Sequence, residues 1–170
     1  MQQAQHFLQQ ILQPCLQQIG VQDKQICWLL LATAIIESEF GQQMDAQRHG
    51  LYQIHGNSHR HLWDHFLILH PQLASDVRGL ASQHAFLKHP HLELDSNLAY
   101  SSAICYCLYL EKGLVAGQLS QQGLLWHWAK YFRHSQSPSL SLAEQRLTRL
   151  WPESFAPAWS LPSNCAQISA

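Results

Sequence analysis

Apolar residues recur at helical spacing along most of this chain, and the first series lies near the amino terminus. It consists of Leu8, Ile11, Leu12, Cys15, Leu16 and Ile19. Side chains three and four positions apart share one face of an α-helix, so this spacing predicts an amphipathic helix that covers a core. Pro14 is expected to kink the helix, because proline has no amide hydrogen, and Gly20 is expected to end it.

The second predicted helix is the centre of the fold. Asp23 is a suitable N-cap, and nearly every residue from 26 to 36 is apolar. A helix that is apolar on all sides has to be buried on most of them. The pattern predicts an end near Glu37, with Gly41 in the left-handed conformation that other residues resist.

The rest of the pattern predicts further helices separated by polar breaks. Helical rhythm is present over residues 62–69, 73–87, 97–110, 124–132 and 142–150. Residues 41–60 are rich in Gly, Gln, Asp, Arg and His, which predicts a long structured loop or a short hairpin. The predicted fold class is all-α, or predominantly helical α+β at most. We expect residues 1–150 to form one domain and residues 151–170 a tail that packs on it or extends from it.

The composition allows one domain and argues against two classes of partner. With 170 residues and 46% hydrophobic content, the chain is long enough for a single well-formed core. Charged residues make up only 12% and the net charge is −1, so no broad basic field is available to hold a nucleic acid. The longest apolar run is too short to span a bilayer, and no signal peptide is visible, so a membrane anchor is not expected.

The cysteines favour synthesis in a reducing compartment. They are Cys15, Cys27, Cys105, Cys107 and Cys165. Their odd number and apolar helical surroundings predict buried thiols and argue against a disulfide framework.

Glu37 is the residue that most clearly suggests chemistry. A lone carboxyl group at the end of an apolar helix is partly desolvated, which raises its pKa and keeps it protonated longer. Cleavage of a glycosidic bond needs a proton on a poor leaving-group oxygen, and such a carboxyl group can supply it. Helix ends also reach the surface without any function, so the residue type alone leaves both readings open.

Two sequence blocks resemble the soluble lytic transglycosylase and goose-type lysozyme superfamily. The first is the apolar helix that ends in Glu-Ser-Glu-Phe at residues 37–40, and the second is Gly-Leu-Tyr-Gln-Ile at residues 50–54. The family pattern is a helix ending in Glu-Ser-x-Phe, a variable loop, and Gly-Leu-x-Gln-Ile. The Ser-His at residues 58–59 is similar to the Ser-His that follows in goose-type enzymes, and residues 97–110 are similar to a later helix of the family.

The resemblance implies a lysozyme-like fold and a role for each matching residue. Glu37 would be the catalytic acid/base, and Ser38 would support the helix end and its carboxyl group. Gln53 and the backbone of Tyr52 would line the sugar groove, and Gly50 would allow a close backbone approach. For the Tyr52 side chain, anchoring the loop in the core is an equal alternative to contact with a ligand.

The chain departs from the family pattern in two places. The family's late Tyr-Asn segment is absent, and Tyr131 is the nearest tyrosine, so we assign it to the groove in its place. Trp128, close by, is expected to pack in the core. The loop between Glu37 and Gly50 is also shorter than in the lytic transglycosylases, which would reshape the groove.

Asp45 decides between two mechanisms. Inverting hydrolysis needs a second carboxylate to activate water, and Asp45 lies in the loop that would provide it. Lytic transglycosylases, by the resemblance, use one Glu that protonates the bond between MurNAc and GlcNAc and then deprotonates the sugar's C6 hydroxyl, leaving a 1,6-anhydro product. We favour the single-Glu mechanism over a muramidase, because no motif surrounds Asp45.

Several histidines have the spacing of metal ligands but lack a complete set. His55, His59, His61 and His65 contain two pairs at i, i+4, which would share a face in a helix. No cysteine or paired carboxylate has matching spacing, so neither a metal nor another cofactor is predicted.

The predicted partner is the glycan strand of peptidoglycan. Without a visible signal peptide, the protein is expected to be made in the cytoplasm and to reach the wall by non-Sec export or in a virion. Proteins of a phage or a secretion apparatus are therefore candidate partners. A lysozyme-like component of such an apparatus that binds peptidoglycan without cleaving it is the alternative from a different class.

Overall fold

The structure is a computed structural model that describes residues 2–82, 88, 89, 91–115, 117, 119 and 123–152. Part of the predicted helix over 73–87, nearly all of the predicted tail and Cys165 lie outside the described residues.

The described part of the chain is helical, and it contains no strand. The α-helices are α1 (Gln2–Phe7), α2 (Gln13–Gln18), α3 (Lys24–Ser38), α4 (Gly56–His61), α5 (Pro71–Leu80), α6 (Leu92–Ser96), α7 (Leu98–Glu111), α8 (Leu124–Tyr131) and α9 (Leu140–Leu150). A π-helical turn, Leu8–Leu12, joins α1 to α2, and a π-helical turn (Leu62–Phe66) with a 3-10 turn (Leu67–Leu69) continues α4. The all-α prediction is thereby confirmed, and none of these helices is long and apolar enough to cross a membrane.

The π-helical turn is the local response to Pro14. Proline lacks an amide hydrogen and its ring collides with the carbonyl group four residues earlier, so a wider turn relieves the conflict. Gly20, with φ of 80°, ends the helix as predicted, and the amide of Val21 donates to the carbonyl of Leu16 at 2.7 Å.

Helix α3 lies at the centre of the core, as its apolar sequence predicts. The Asp23 side chain accepts a hydrogen bond from the amide of Gln25 at 2.8 Å, and every residue from 29 to 38 is buried. Helix α7 is equally apolar, and the Thr33 hydroxyl lies 2.7 Å from the Tyr109 hydroxyl, which joins the two helices inside the core. The described cysteines, all but Cys165, are buried free thiols.

The end of α3 differs from the prediction. Gly41 has a positive φ of 85°, as predicted, but the left-handed conformation begins two residues earlier, at Glu39 (φ 50°), and includes Phe40 (φ 57°). Side chains resist this region, so another interaction has to hold Glu39 there. Its carboxylate is bound by two arginines of α9, Arg146 and Arg149.

Residues 39–55 form a loop against the end of α3. One antiparallel bridge between His49 and Ile54 closes it. The segment is therefore a structured loop with a single hairpin-like bridge, which combines the two predicted forms. The loop ends earlier than the predicted residue 60, because α4 begins at Gly56. At its tip, the amide of Gly50 donates to Oδ1 of Asp95 at 2.8 Å, which fastens the loop to α6.

Gly50 is required by two independent constraints. Its φ is +63°, and a Cβ atom added there would lie 1.9 Å from the carbonyl oxygen of Leu94. Gly113 also has a positive φ, of +88°, but a Cβ atom there meets no atom within 4 Å. The two glycines separate the effect of backbone conformation from that of a steric clash.

We therefore predict a much larger loss of stability for Gly50→Ala than for its matched control, Gly113→Ala. The control should lose about 1–2 kcal/mol of unfolding free energy, which is the usual effect of a left-handed alanine. Gly50→Ala should lose at least about 2 kcal/mol more, because the backbone of Leu94 has to move. Urea unfolding measures both variants, and equal losses would show that the loop does not press on α6.

Candidate active site

The carboxyl group of Glu37 is enclosed at the end of α3. The residue is 2% exposed. Its Oε1 atom accepts hydrogen bonds from Nε1 of Trp128 at 3.0 Å and from the Ser137 hydroxyl at 2.8 Å. Its Oε2 atom lies 3.5 Å from Nη1 of Arg48. Every partner comes from an element other than α3, so the site forms only when the chain has folded around it.

Burial raises the pKa of Glu37 above its ordinary value, because the ionised form loses its hydration. The hydrogen bonds from Ser137 and Trp128 and the charges of Arg48 and Arg146 lower the pKa in part, but burial outweighs them. The group therefore holds its proton to a higher pH than an exposed glutamate, which is the property a general acid needs.

Arg146 fixes the helix end that carries Glu37. Its guanidinium donates to the carbonyl oxygens of Ile36 and Glu37, and its Nε atom lies 2.9 Å from Oε1 of Glu39. A cation is favourable at the carboxyl end of a helix, where the carbonyl groups have no partners. Sequence reasoning missed this arginine. The available signal was Arg146 and Arg149 at i, i+3 on one amphipathic helix.

Asp45 shares Arg48 with Glu37. Its Oδ2 atom lies 3.3 Å from Nε of Arg48, and its Oδ1 atom accepts the amide of Gln47 at 2.9 Å. This amide contact, followed by the arginine, lowers the pKa of Asp45, whose side chain is 40% exposed. One guanidinium thus contacts two carboxylates with opposite pKa shifts, one buried and one open to water.

Side chains that follow Glu37 in the sequence hold the loop in place. The Ser38 hydroxyl donates to the carbonyl of Leu51 at 2.6 Å and accepts the amide of Gly41 at 3.0 Å. Ser38 thus ties the loop to the helix end, whereas the hydroxyl that contacts the Glu37 carboxyl group belongs to Ser137. The Tyr52 side chain is fully buried, with its hydroxyl 2.9 Å from that of Ser102. This placement matches the alternative in which the Tyr52 side chain anchors the loop in the core.

Gln53 is also buried, although sequence reasoning placed it on the groove. Its Oε1 atom accepts the amide of Asp45 at 2.7 Å, and its Nε2 atom donates to the carbonyl of Gly50 at 2.8 Å. The residue has φ of 51°, so these bonds hold a backbone conformation that glutamine seldom adopts. Gln53 therefore fixes the loop and contributes only part of a cleft wall.

A cleft of about 470 Å³ lies beside the buried acid. Its lining residues are Gln53, Ile54, His55, Asn57, Ser58, His61, Leu108, Glu111, Lys112, Tyr131, Phe132, Arg133 and His134. Tyr131 and Gln53 lie on this cleft, and Asp45, Ser38 and Tyr52 do not line it. Glu37 does not line it either; the turn of residues 134–137 lines the cleft through His134 and contacts Glu37 through Ser137.

Trp128 is a further residue whose place at the site was not predicted, along with Arg48 and Ser137. It is fully buried, as expected of a core residue, but its indole nitrogen donates to Glu37. No motif marks it, and only its helix neighbours Trp126 and Tyr131 hint at an aromatic wall.

The histidines are distributed over separate clusters. His61 and His65 stack at 4.2 Å between ring centroids, and His55 packs against His134 at 4.8 Å. His59 turns inward, where its Nδ1 atom lies 3.0 Å from Nδ1 of His91. Within the described part of the chain, no three His, Cys, Asp or Glu side chains are placed to hold a metal ion.

At least one ring of the His59–His91 pair has to be neutral, because the two Nδ1 atoms that face each other cannot both carry a hydrogen. The Nε2 atom of His59 lies 2.8 Å from the Tyr100 hydroxyl, and the indole nitrogen of Trp63 lies within hydrogen-bond distance of both. Burial lowers the pKa of His59 to about 4, and the nearby rings of His91 and His49 add to the shift. Burial also lowers the pKa of His91.

Compared with protein-family models, curated proteins and solved structures, the chain matches none.

The histidine pair predicts a loss of stability in acid. A neutral buried His59 stabilises the fold above the ordinary histidine pKa of about 6.5, and this contribution is lost as the pH falls towards 4. We expect His59 to account for roughly 3 kcal/mol of the fall in unfolding free energy between pH 7 and pH 4.

Urea unfolding at both pH values tests this expectation. His59→Gln should reduce the difference between pH 7 and pH 4, whereas His65→Gln, on the exposed face of the same helical segment, should leave it unchanged. An NMR titration that gives His59 a pKa near 6.5 in the folded chain would contradict the prediction.

Proposed function

We propose that this protein cleaves the glycan strands of peptidoglycan between MurNAc and GlcNAc, as a lytic-transglycosylase-like enzyme with Glu37 as its acid/base. The supporting observation is the buried Glu37 carboxyl group, which has a raised pKa and lies behind the wall of a cleft. The resemblance of residues 37–40 and 50–54 to the lytic transglycosylase and goose-type lysozyme superfamily supports the same reaction.

The proposal includes a lysozyme-like fold. In support, an apolar helix buried in an all-helical body carries the acid at its carboxyl end, and the following loop folds back against that end. The loop residues that match the family's second block are the ones whose hydrogen bonds keep the loop in place.

In this mechanism one carboxyl group first gives a proton and then receives another. Protonated Glu37 gives its proton to the glycosidic oxygen, and the bond to the MurNAc anomeric carbon breaks. The carboxylate that remains then accepts the proton of the C6 hydroxyl, whose oxygen attacks the anomeric carbon and closes the 1,6-anhydro ring. Arg48 lies against the carboxylate and stabilises this intermediate charge.

A muramidase that hydrolyses the same bond is the second candidate, and Asp45 supports it. Environments that push two pKa values apart are typical of an acid and its partner base, and Glu37 and Asp45 are shifted in opposite directions. Against it, the Arg48 guanidinium lies between the two carboxylates, where inverting hydrolysis needs room for a sugar and a water molecule.

A component that binds peptidoglycan without cleaving it is the third candidate. The fully enclosed Glu37 side chain favours it, since no substrate can touch the acid in this conformation. Under all three proposals the glycan strand is the ligand. Delivery to the wall by non-Sec export or in a virion, with phage or secretion-apparatus proteins as partners, remains part of the proposal.

The catalytic role of Glu37 predicts the behaviour of Glu37→Gln. The amide oxygen keeps the hydrogen bonds from Trp128 and Ser137, but the group no longer donates and recovers a proton, so clearing of purified sacculi should fall at least about a thousandfold. Stability at pH 7 should be retained or increased, because a neutral group replaces an acid that is costly to ionise.

Glu144→Gln, on the exposed face of α9, is the matched control and should clear sacculi like the parent. Equal clearing by Glu37→Gln, with unchanged circular dichroism, would remove the catalytic assignment. Failure of every form, the parent included, would favour the binding component.

The mechanism predicts the chemical nature of the product. Mass analysis of the released muropeptides should find 1,6-anhydromuramic ends, and Asp45→Asn should slow release by less than about tenfold. Ordinary reducing ends, heavier by one water, together with a loss of at least about a hundredfold in Asp45→Asn would identify a hydrolase with Asp45 as its base.

A further inference from the structure

The acid proposed for catalysis is closed to solvent and to the cleft. The Glu37 side chain has no exposed surface. Trp128 covers it from α8, Arg48 from the loop, and Ser137 from the turn between α8 and α9. A general acid has to approach its target oxygen to about 2.6–3.2 Å, so at least one of these groups has to move before any glycan is cleaved.

The cover that is held most weakly is the turn of residues 134–137. Trp128 is fully buried within a helix, and Arg48 is held between Glu37 and Asp45 with its side chain only 9% exposed. The turn, by contrast, is an exposed connection with Ser135 and Gln136 in solvent. Segments with few buried contacts open at the lowest free energy.

The turn is held together by its own hydrogen bonds, and two of its side chains contact the body. The amide of Gln136 donates to Nδ1 of His134 at 3.3 Å, and the amide of Ser137 donates to the carbonyl of His134 at 3.1 Å. In the described part of the chain, side chains of the turn reach the body through the Ser137–Glu37 hydrogen bond and the packing of His134 on His55. These contacts allow the turn to move as one unit.

We propose that residues 134–137 form a cap that closes Glu37 from the cleft and has to swing away before a glycan strand can reach the acid. The Ser137 hydroxyl is its latch, because it makes the hydrogen bond through which the turn holds the Glu37 carboxyl group. His134 lines the cleft on one side of the turn and Glu37 lies on the other, so movement of the turn joins them. The physiological meaning of the cap rests on the proposed function, but its existence does not.

Chemical labelling of carboxyl groups tests the cap without any assay of activity. A water-soluble carbodiimide with glycinamide labels accessible protonated carboxyl groups, and peptide mass spectrometry gives the rate at each site. The labelling rate of Glu37 is measured at successively lower pH until it no longer rises. At this plateau the carboxyl group is fully protonated, so the rate reports access alone. Asp45, which is exposed, serves as the reference in the same molecule, and both rates are expressed per protonated carboxyl group because the pKa of Asp45 is lowered and that of Glu37 is raised.

Ser137→Ala removes the latch, and Ser135→Ala is the matched control in the same turn, since Ser135 is exposed. In the parent and in Ser135→Ala, Glu37 should react at least about tenfold more slowly than Asp45. In Ser137→Ala, the plateau rate at Glu37 should rise at least about threefold, with the rate at Asp45 unchanged.

Two results would overturn the cap. One is a plateau rate at Glu37 that is the same in Ser137→Ala and in the parent. The other is parent labelling of Glu37 as fast as that of Asp45, which means that the closed form is not populated. A faster rate in Ser137→Ala without wall cleavage by any form would keep the cap and remove the proposed function. Loss of wall cleavage in Glu37→Gln, together with the same Glu37 labelling rate in Ser137→Ala and in the parent, would keep the proposed function and remove the cap.

Discussion

The burial of one carboxyl group constrains the carboxy-terminal half of this fold. A desolvated carboxylate is costly unless hydrogen-bond donors and positive charges surround it. Glu37 receives a donor from α8, another from the following turn, and a positive charge from the loop, while Arg146 of α9 binds the backbone beside it. Helices α8 and α9 already bury apolar faces in the core, and the carboxyl group adds a shared polar contact that fixes how these elements meet.

The loop after Glu37 is held by polar side chains whose hydrogen bonds are made within the protein. Ser38 and Gln53 spend their hydrogen bonds on the loop backbone, and Tyr52 reaches across the core to Ser102. A motif that looks like a ligand-binding block in the sequence is in this protein mainly a frame for the backbone.

The sequence predicted the helices best where local rules decide them. Asp23, Gly20 and the apolar runs of α3 and α7 act through neighbours in the chain, so their effects are visible without the fold. Glu37 was predicted as a half-buried acid for the same reason. Its partners Trp128, Ser137 and Arg146 were not predicted, because their contacts depend on how distant helices pack. The left-handed start at Glu39 was missed likewise, since two arginines of α9 hold it in place of a glycine.

The distances along the chain between Glu37 and its partners also set the order in which the site is assembled. Trp128, Ser137 and the Arg146 backbone contact lie 91, 100 and 109 residues later in the sequence. A ribosome adds about 5–20 residues each second, so the acid waits on the order of 5–20 seconds for its surroundings. During that interval α3 exposes an apolar surface and an unshielded glutamate. Until α9 has emerged, the surroundings of Glu37 are incomplete and the nascent chain is most vulnerable to aggregation.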